Sequence, residues 1–347
     1  MPRKLNHAIV VWLLGICFVL QGFTAFAEPP AVEEVLGVLG MDKGQIAELA
    51  QGQPIAYALG EGRDDELAVG VVWYLPFPLD KVAGQLRLGD TGLLDVDVTA
   101  HGLLTEHGGA SALTPVALSK EEAQALLDAE PGEEFNLSTH EIDSFKTLKK
   151  TLKRRPYSPI GDEVGQHYRE ILFQRFEAYR HGGGHAIAPY AREESLFSTP
   201  SLELRQAANA SAILPRYFPE LYKAWLDYPK ALPPGAVEAF PWVVKNVEGR
   251  SATILRHLVN IDWNGGVMVL TREFYASHSY NASQWITGCL PYHDGTVVFQ
   301  QVRSYTDQVA GVASDVKHLV GRELLKDKML KSFERLCGVL GQCHLHP

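Results

Sequence analysis

The stretch that decides the fold lies in the C-terminal part of the chain and reads, from Ala252 to Arg303, ATILRHLVNIDWNGGVMVLTREFYASHSYNASQWITGCLPYHDGTVVFQQVR. Runs of β-prone residues alternate here with short turns, among them Asn264-Gly265 and Asp294-Gly295. Asn-Gly and Asp-Gly between such runs are strong hairpin signals, because a type I′ turn requires positive φ at its central residues. The pattern predicts an antiparallel meander of five strands. These are Ala236–Val247, Ala252–Asp262, Val267–Tyr275, Trp285–Tyr292 and Thr296–Arg303.

A long amphipathic segment follows the meander and predicts a helix of about six turns from Ser314 to Leu336. Because an apolar stripe has to be buried against another element, we expect it to pack on the concave face of the meander. A curved antiparallel sheet around a long C-terminal helix is the helix-grip arrangement, so the predicted fold class is α+β. The stripe consists of Val316, Leu319, Val320, Leu324, Met329, Phe333 and Leu336.

Residues 28–235 predict a short hairpin and a helical section that belong to the same unit as residues 236–347 or pack closely on it. The hairpin strands are Pro54–Leu59 and Glu66–Leu75, and a helix with Pro78 near its start follows directly, as at the usual beginning of a helix-grip fold. Capping boxes at Ser119 and Ser138 open two further helices. Later helices are predicted at Asp162–Tyr179, Thr199–Ile213 and Pro219–Asp227, before a proline-rich connector at Pro229–Gly235.

The first 27 residues carry the pattern of a secretory signal peptide. Arg3 and Lys4 form a basic start, an apolar run extends from Ala8 to Phe26, and Ala25-Phe26-Ala27 supplies an A-x-A site. The prediction is cleavage near Ala27 and a secreted or periplasmic protein without a stable membrane span. The alternative is an uncleaved membrane anchor, because about 20 apolar residues can span a bilayer.

Composition narrows the classes of partner. The net charge is −9, and it becomes −11 without the leader, which holds two of the 32 basic residues and none of the 41 acidic ones. So acidic a balance argues against nucleic acid, since phosphate binding depends on Lys and Arg. The sequence predicts neither a metal site nor a cofactor. In an oxidising compartment Cys337 and Cys343 are candidates for a disulfide, and Cys289 is expected to be a buried thiol.

Two motifs outside the meander have both a functional and a structural interpretation. His181-Gly182-Gly183-Gly184-His185 resembles the oxyanion-hole segment of some esterases, but it follows a predicted helix and the chain has no G-x-S-x-G elbow. Glycines that end a helix are the favoured interpretation. The lysine-rich face from Lys146 to Arg154 predicts a solvated helix face or a surface for an acidic partner.

The candidate chemistry clusters around the end of the third meander strand. His278 is a candidate general base, because its ordinary pKa lies near neutrality; alternatively, it only hydrogen-bonds the loop in place. Arg303 and Asp307, where the last strand turns toward the long helix, are expected to form an ion pair with each other or with Arg272, Glu273 or His278. The candidate ligand-binding residues are Arg272, Tyr275, Tyr280, Arg303, Asp307, Trp242 and Trp285.

Four segments resemble those of a group of secreted bacterial proteins with no assigned activity: Glu130–Leu137, Phe176–Arg180, Arg272–Ser283 and Val302–Asp307. In that group cysteines flank the equivalent of Pro131-Gly132. Glu130 and Glu134 stand there in this chain, so that disulfide is absent. At the level of fold the chain is similar to START-like helix-grip proteins, and this resemblance implies a hydrophobic ligand between the sheet and the C-terminal helix.

Three functions follow as hypotheses. The first is the binding of an apolar or lipid-like small molecule beneath the C-terminal helix. The second is an extracytoplasmic enzyme with His278 as base and Arg272 or Arg303 holding an anionic group. The third is a structural or interaction protein that uses the basic face from Lys146 to Arg154.

Overall fold

The computed structural model describes residues 30–88, 95, 97–132, 134–154 and 160–341. The predicted leader with its cleavage site lies outside these ranges. From Ala31 onward the described residues form one compact unit. Within the described residues, none of the helices combines the length and the apolarity needed to cross a bilayer.

A nine-stranded sheet organises the described chain, and its strand order is β1-β2-β11-β10-β9-β8-β7-β3, with β6 also paired to β8. All these pairings are antiparallel. The strands are β1 Ile55–Ala58, β2 Glu66–Leu75, β3 Val98–Leu103, β4 Tyr190–Ala191, β5 Phe197–Ser198, β6 Val237–Ala239, β7 Pro241–Val247, β8 Arg250–Trp263, β9 Gly266–Ala276, β10 Ala282–Tyr292 and β11 Gly295–Tyr305, with β4 and β5 forming a separate small sheet.

The α-helices cover both faces of the large sheet. They are α1 Val32–Val38, α2 Lys43–Ala50, α3 Leu79–Arg87, α4 Lys120–Leu127, α5 Thr139–Leu152, α6 Ile160–Gly182, α7 Pro200–Asn209, α8 Ile213–Tyr217, α9 Pro219–Leu226 and α10 Ser314–Leu340. Helices α3 and α10 pack on one face of the sheet, and α1, α2 and α4 to α9 lie on the other face. The predicted α+β class, an antiparallel meander followed by a long C-terminal helix, is confirmed.

The predicted strand Ala236–Val247 is in fact two strands. The sequence breaks at Phe240, whose carbonyl accepts from the N–H of Leu104 at 2.8 Å. The next residue, Pro241, has no N–H to donate to a ladder. β6 therefore pairs with the far half of β8, and β7 with its near half.

Two other boundaries differ from the prediction. The helix expected over Thr199–Ile213 ends at Asn209, and α8 begins anew at Ile213. In the last hairpin Tyr292 pairs with Gly295, so only His293 and Asp294 of the expected connection His293-Asp294-Gly295 are loop residues. Gly295 is needed instead for packing, because a Cβ there would lie 2.3 Å from the carbonyl oxygen of Leu75.

The apolar stripe of α10 is buried only in its C-terminal half. Phe333 packs edge-on against Trp73 of β2, with ring centroids 5.1 Å apart, and Met329 and Leu336 are buried beside it. The expectation that the whole stripe is buried was wrong. In the N-terminal half of α10 the residues toward the β1–β2 hairpin are His318, which bonds Glu61 and Asp64, and Gly321, where a Cβ would lie 2.7 Å from Leu67. The apolar residues of this half are 53–62% exposed, namely Val316, Leu319, Val320 and Leu324.

Both predicted capping boxes are present, and they provide a stability test. At the start of α4 the Ser119 hydroxyl accepts from the N–H of Glu122, whose carboxylate accepts from the N–H of Ser119. We expect Ser119→Ala to lower the free energy of unfolding by about 1 kcal/mol, measured by urea denaturation. Ser111→Ala, at another exposed hydroxyl that accepts no helix N–H, is the control and should change it by less than half of that. Equal losses in the two variants would contradict the capping role.

Candidate functional site

A cavity of about 250 Å³ lies between the large sheet and α10. Its floor is made by strands β7 to β11, its roof by α10, and the end of α3 closes one side. Ladder pairing arranges the floor in three rows across the sheet. The first row is Val269, Thr287 and Gln300, the second is Leu258, Thr271 and Trp285, and the third is Arg256, Glu273, Ser283 and Ser304.

The third row makes one end of the cavity polar. Arg256 Nε donates to Glu273 Oε1 at 2.9 Å, and Tyr280 Oη donates to Glu273 Oε2 at 2.7 Å. Burial on its own raises the pKa of Glu273, but the charge of Arg256 and the bond from Tyr280 hold that pKa below its ordinary value. Glu273 is therefore an ionised carboxylate that accepts hydrogen bonds at both oxygens. It holds the side chains of Arg256 and Tyr280 in position at this end of the cavity.

The other two rows face the roof and combine three apolar side chains with three uncharged polar ones. Leu258 and Val269 are buried on the floor, and Met329 is buried in the roof above them. Leu86, at the end of α3, closes the side. The cavity thus has an apolar middle and a polar end, the combination that small-molecule sites commonly show.

Two polar atoms of the floor have no hydrogen-bond partner within the described protein. These are the hydroxyl oxygen of Ser283 and the indole nitrogen of Trp285, both buried. A buried donor or acceptor without a partner costs about 1–3 kcal/mol, which is why such groups are rare. Because Ser283 and Trp285 line the cavity, a polar group of a bound molecule could form hydrogen bonds with these two atoms.

The exposed lining residues mark the mouth of the cavity. Leu88 stands at one side with 58% of its surface exposed, and Lys328 and Lys331 of α10 stand exposed at another. Across from α10, Lys245 Nζ lies 3.3 Å from Asp95 Oδ2, so the cation and the carboxylate of that rim are paired.

Of the candidate ligand-binding residues, Tyr280 and Trp285 line the cavity. Arg272 and Trp242 point to the opposite face, where Arg272 donates to the hydroxyl of Tyr179 at 3.1 Å and its guanidinium lies 4.2 Å from the ring centroid of Trp225. Trp242 is packed in the core of that face. These two residues therefore hold the helical section on the sheet.

Tyr275 reaches the same opposite face through a β-bulge. Leu255 pairs with Tyr275 and the next residue Arg256 pairs with Glu273, so Phe274 is the extra residue of β9. Simple alternation from Glu273 places Tyr275 on the cavity side, whereas the bulge turns it away. The ring of Tyr275 packs against the guanidinium of Arg175, whose central carbon lies 4.6 Å from the ring centroid.

Arg303 and Asp307 do not pair with each other. Arg303 forms a buried ion pair with Glu66 of β2 and donates to the carbonyl of Gly60 at 3.0 Å. Asp307 accepts from Arg192 Nε at 2.7 Å and from the Ser198 hydroxyl at 2.8 Å. Neither residue lines the cavity, so both serve the packing of loops against the sheet.

His278 lies in the loop after β9 and is buried. Its Nδ1 is 2.7 Å from the hydroxyl of Ser279, and its Nε2 is 2.9 Å from the carbonyl oxygen of Ser251. Burial lowers the pKa of His278, which keeps the ring neutral. Both nitrogens are within hydrogen-bond distance of a partner, and His278 does not line the cavity. These contacts agree with a residue that holds the loop in place, and the role of general base stays a prediction.

The glycine run after α6 and the basic face of α5 both make contacts that explain their residues without a function. α6 ends within the glycine run, and at Gly183 the φ angle is +61° and a Cβ would lie 1.7 Å from the carbonyl oxygen of Tyr228. On the basic face of α5, Lys146 pairs with Glu130 at 2.9 Å, and Lys149 pairs with Asp128.

Two cysteines lie among the described residues of the sheet and of α10. Cys289 is a buried free thiol, and burial raises its pKa to about 11. Cys337 is disulfide-bonded; its predicted partner Cys343 lies outside the described residues. Within the described part of the chain, no group of three or more His, Cys, Asp or Glu side chains is placed to share a metal ion.

The sequence reasoning missed most of the cavity. Lys245, Arg256 and Ser283 were not singled out, and neither were the polar residues of α10. The available signal was alternation: residues two apart on β9 and β10 share a face, which joins Thr271 with Glu273 and Ser283 with Trp285.

Comparison with known proteins adds little. No family model matches the chain, and no curated protein matches it. Among solved structures, a similar chain is that of the crystal structure of Ara h 8.0201, at 12% sequence identity. The match covers 41% of this chain and 88% of that one, with a TM-score of 0.22. So low a TM-score carries no argument about fold or ligand.

Proposed function

We propose that this protein binds a small molecule with an apolar, lipid-like body in the cavity between the sheet and α10, in the manner of START-like helix-grip proteins. The observation that carries the proposal is the open space of about 250 Å³ between α10 and a floor that includes the buried side chains of Leu258, Val269 and Thr287. Protein interiors are close-packed, so a void of this size is unusual in a core that only needs to be stable.

The size of the cavity limits the ligand. Its volume of about 250 Å³ equals that of about eight water molecules and lies just below the range of about 300–1,000 Å³ usual for ligand pockets. A single short aliphatic chain fits such a space better than a sterol or a two-chain lipid. Each methylene group removed from water there contributes about 0.8 kcal/mol.

The predicted leader bears on where the ligand would be bound. With its basic start, apolar run and A-x-A site, it favours export and a binding role outside the cytoplasm. The proposal requires no catalytic residue.

The test is calorimetric titration of the purified protein with decanol, a neutral single-chain probe. We expect saturable binding that Thr287→Phe weakens by more than about tenfold, because Thr287 lines the floor and the larger ring fills the cavity. Thr147→Phe, on the exposed surface of α5, is the matched control and should bind like the wild type.

Folding is checked in each variant by circular dichroism and thermal unfolding. Val269→Phe, on the neighbouring strand, provides a second filling variant if Thr287→Phe unfolds. Unchanged decanol affinity in a folded filling variant would show that the probe binds elsewhere, and no binding to the wild type would exclude the proposal.

A further inference from the structure

We infer that the ligand carries an anionic head group, a carboxylate or a phosphate, which Lys328, Lys331 and Arg335 bind at the mouth of the cavity. This inference rests on the proposed function and adds the chemical class of the ligand. It places the charged head at the rim on α10 and the aliphatic body between Leu258, Val269 and Met329.

The three cations share one side of α10. Their spacing of three and four residues places successive members one turn apart on a single helix face. All three line the cavity, as does Ser332 between them. Lys328 and Lys331 are exposed and Arg335 is half-buried, so the cationic face runs from solvent to the edge of the cavity.

These cations differ from the others on the same helix. Arg322 pairs with Glu61 at 2.9 Å, Lys326 pairs with Glu323, and Lys317 donates to the carbonyl of Ala310 at 3.0 Å. Among the described residues, by contrast, no carboxylate forms an ion pair with Lys328, Lys331 or Arg335. Like charges one turn apart repel each other, and an anion bound among them relieves that repulsion.

The charges that line the cavity are unbalanced toward the positive. The lining carries five cations against three carboxylates, in a chain whose net charge is −9. Glu273 is matched by Arg256 and Asp95 by Lys245. Lys328, Lys331 and Arg335 then outnumber Asp97, the one lining carboxylate that remains. An arginine also suits carboxylates and phosphates because its planar fork donates two parallel hydrogen bonds.

The experiment compares three probes of equal chain length: decanol, decanoate and decyl phosphate. Calorimetry of the purified protein should give an affinity for at least one of the two anions about tenfold above that for decanol. The anion that binds more tightly identifies the head group. Added salt should weaken the anion and leave decanol unchanged, because salt screens exposed charges.

Paired variants locate the head group. Lys328→Gln with Lys331→Gln should remove the preference for the anion and leave the affinity for decanol unchanged. Lys317→Gln with Lys326→Gln removes the same charge from the same helix away from the cavity, and should retain the preference. Thermal unfolding shows that both double variants remain folded.

The outcomes separate this inference from the proposed function. If decanol binds and neither anion binds more tightly, or if both double variants lose the preference equally, the assignment of the head group is wrong while cavity binding stands. If none of the three probes binds the wild type, the proposed function itself fails. Arg335→Gln alone, with an intermediate loss, provides a check in case the double variant does not fold.

Discussion

Replacing Arg303 with alanine is expected to lower the free energy of unfolding by about 3–5 kcal/mol. The guanidinium forms an ion pair with Glu66, whose side chain is 1% exposed. The other carboxylate oxygen of Glu66 accepts from the N–H of Gly62 at 2.7 Å. Removing Arg303 leaves the charge of Glu66 buried without its cation, and this cost exceeds the loss of one hydrogen bond.

The ion pair is tested by two further variants. Arg303→Met combined with Glu66→Leu removes both charges and should recover most of the stability, because the desolvation cost disappears with them. Arg87→Ala breaks an exposed pair with Asp262, whose side chain is 81% exposed, and should cost less than about 1 kcal/mol. Denaturant unfolding measures all three.

The same variants distinguish a structural role from a ligand-binding role. Arg303 was a candidate ligand residue from sequence, but it does not line the cavity. Folded Arg303→Met/Glu66→Leu protein should therefore bind decanol with wild-type affinity. A loss of probe affinity without a loss of stability would contradict the structural role.

The second large effect is a dependence of stability on pH that comes from Glu203. Glu203 is 2% exposed in α7, and its Oε2 has no hydrogen-bond partner among the residues that the structure describes. Burial raises its pKa from 4.5 to about 7. The folded protein thus keeps a proton on Glu203 in a range where the unfolded chain has released it.

The sign follows from proton linkage. The contribution of Glu203 is fully present below pH 4.5 and is lost as the pH rises through about 7. The total loss is on the order of 3 kcal/mol. Glu203→Gln should remove it, so the variant should be more stable than the wild type above neutral pH and should gain little below pH 4.5.

The measurement is the difference in unfolding free energy between wild type and Glu203→Gln as a function of pH. The difference cancels the opposite contribution of His257, whose pKa burial lowers to about 4. Glu220→Gln, at a side chain 73% exposed, is the control and should give a difference that stays flat. A flat difference for Glu203→Gln as well would contradict the raised pKa.

The elements set by local sequence were predictable. Alternation and the turn at Asn264-Gly265 gave the strands of the meander, since both central φ angles are positive there, at +50° and +88°. The capping boxes at Ser119 and Ser138 gave two helix starts. These signals act within a few residues of the chain, so no tertiary contact is needed to interpret them.

The features that depend on tertiary contacts were not predictable. β3 is an edge strand that alternates between exposed and half-buried residues in a glycine-rich stretch, and only its pairing with β7 defines it. The burial of the stripe in only one half of α10 depends on which helix face meets β2, where His318 and Gly321 stand in place of the apolar residues.

The candidate site shows the same division. Tyr280 was predicted because it follows the third meander strand at the sheet rim, and Trp285 because it is one of the many aromatic side chains of the meander. Tyr275 was misplaced by the bulge at Phe274, which no local pattern indicates. Arg272 alternates with Glu273 and so faces away from the cavity. The cavity itself depends on the fit of α10 to the sheet, which is a property of the whole fold.

The central claim is that the space beneath α10 is a ligand site, and a crystal structure of the protein with ω-bromodecanoate tests it most directly. The anomalous signal of bromine locates the end of the aliphatic chain without ambiguity. The proposed function predicts a bromine peak in contact with Leu258 and Val269, and the inference about the head group adds a carboxylate near Lys328 and Lys331. A space filled by side chains, or bromine bound only outside the space between the sheet and α10, would contradict it.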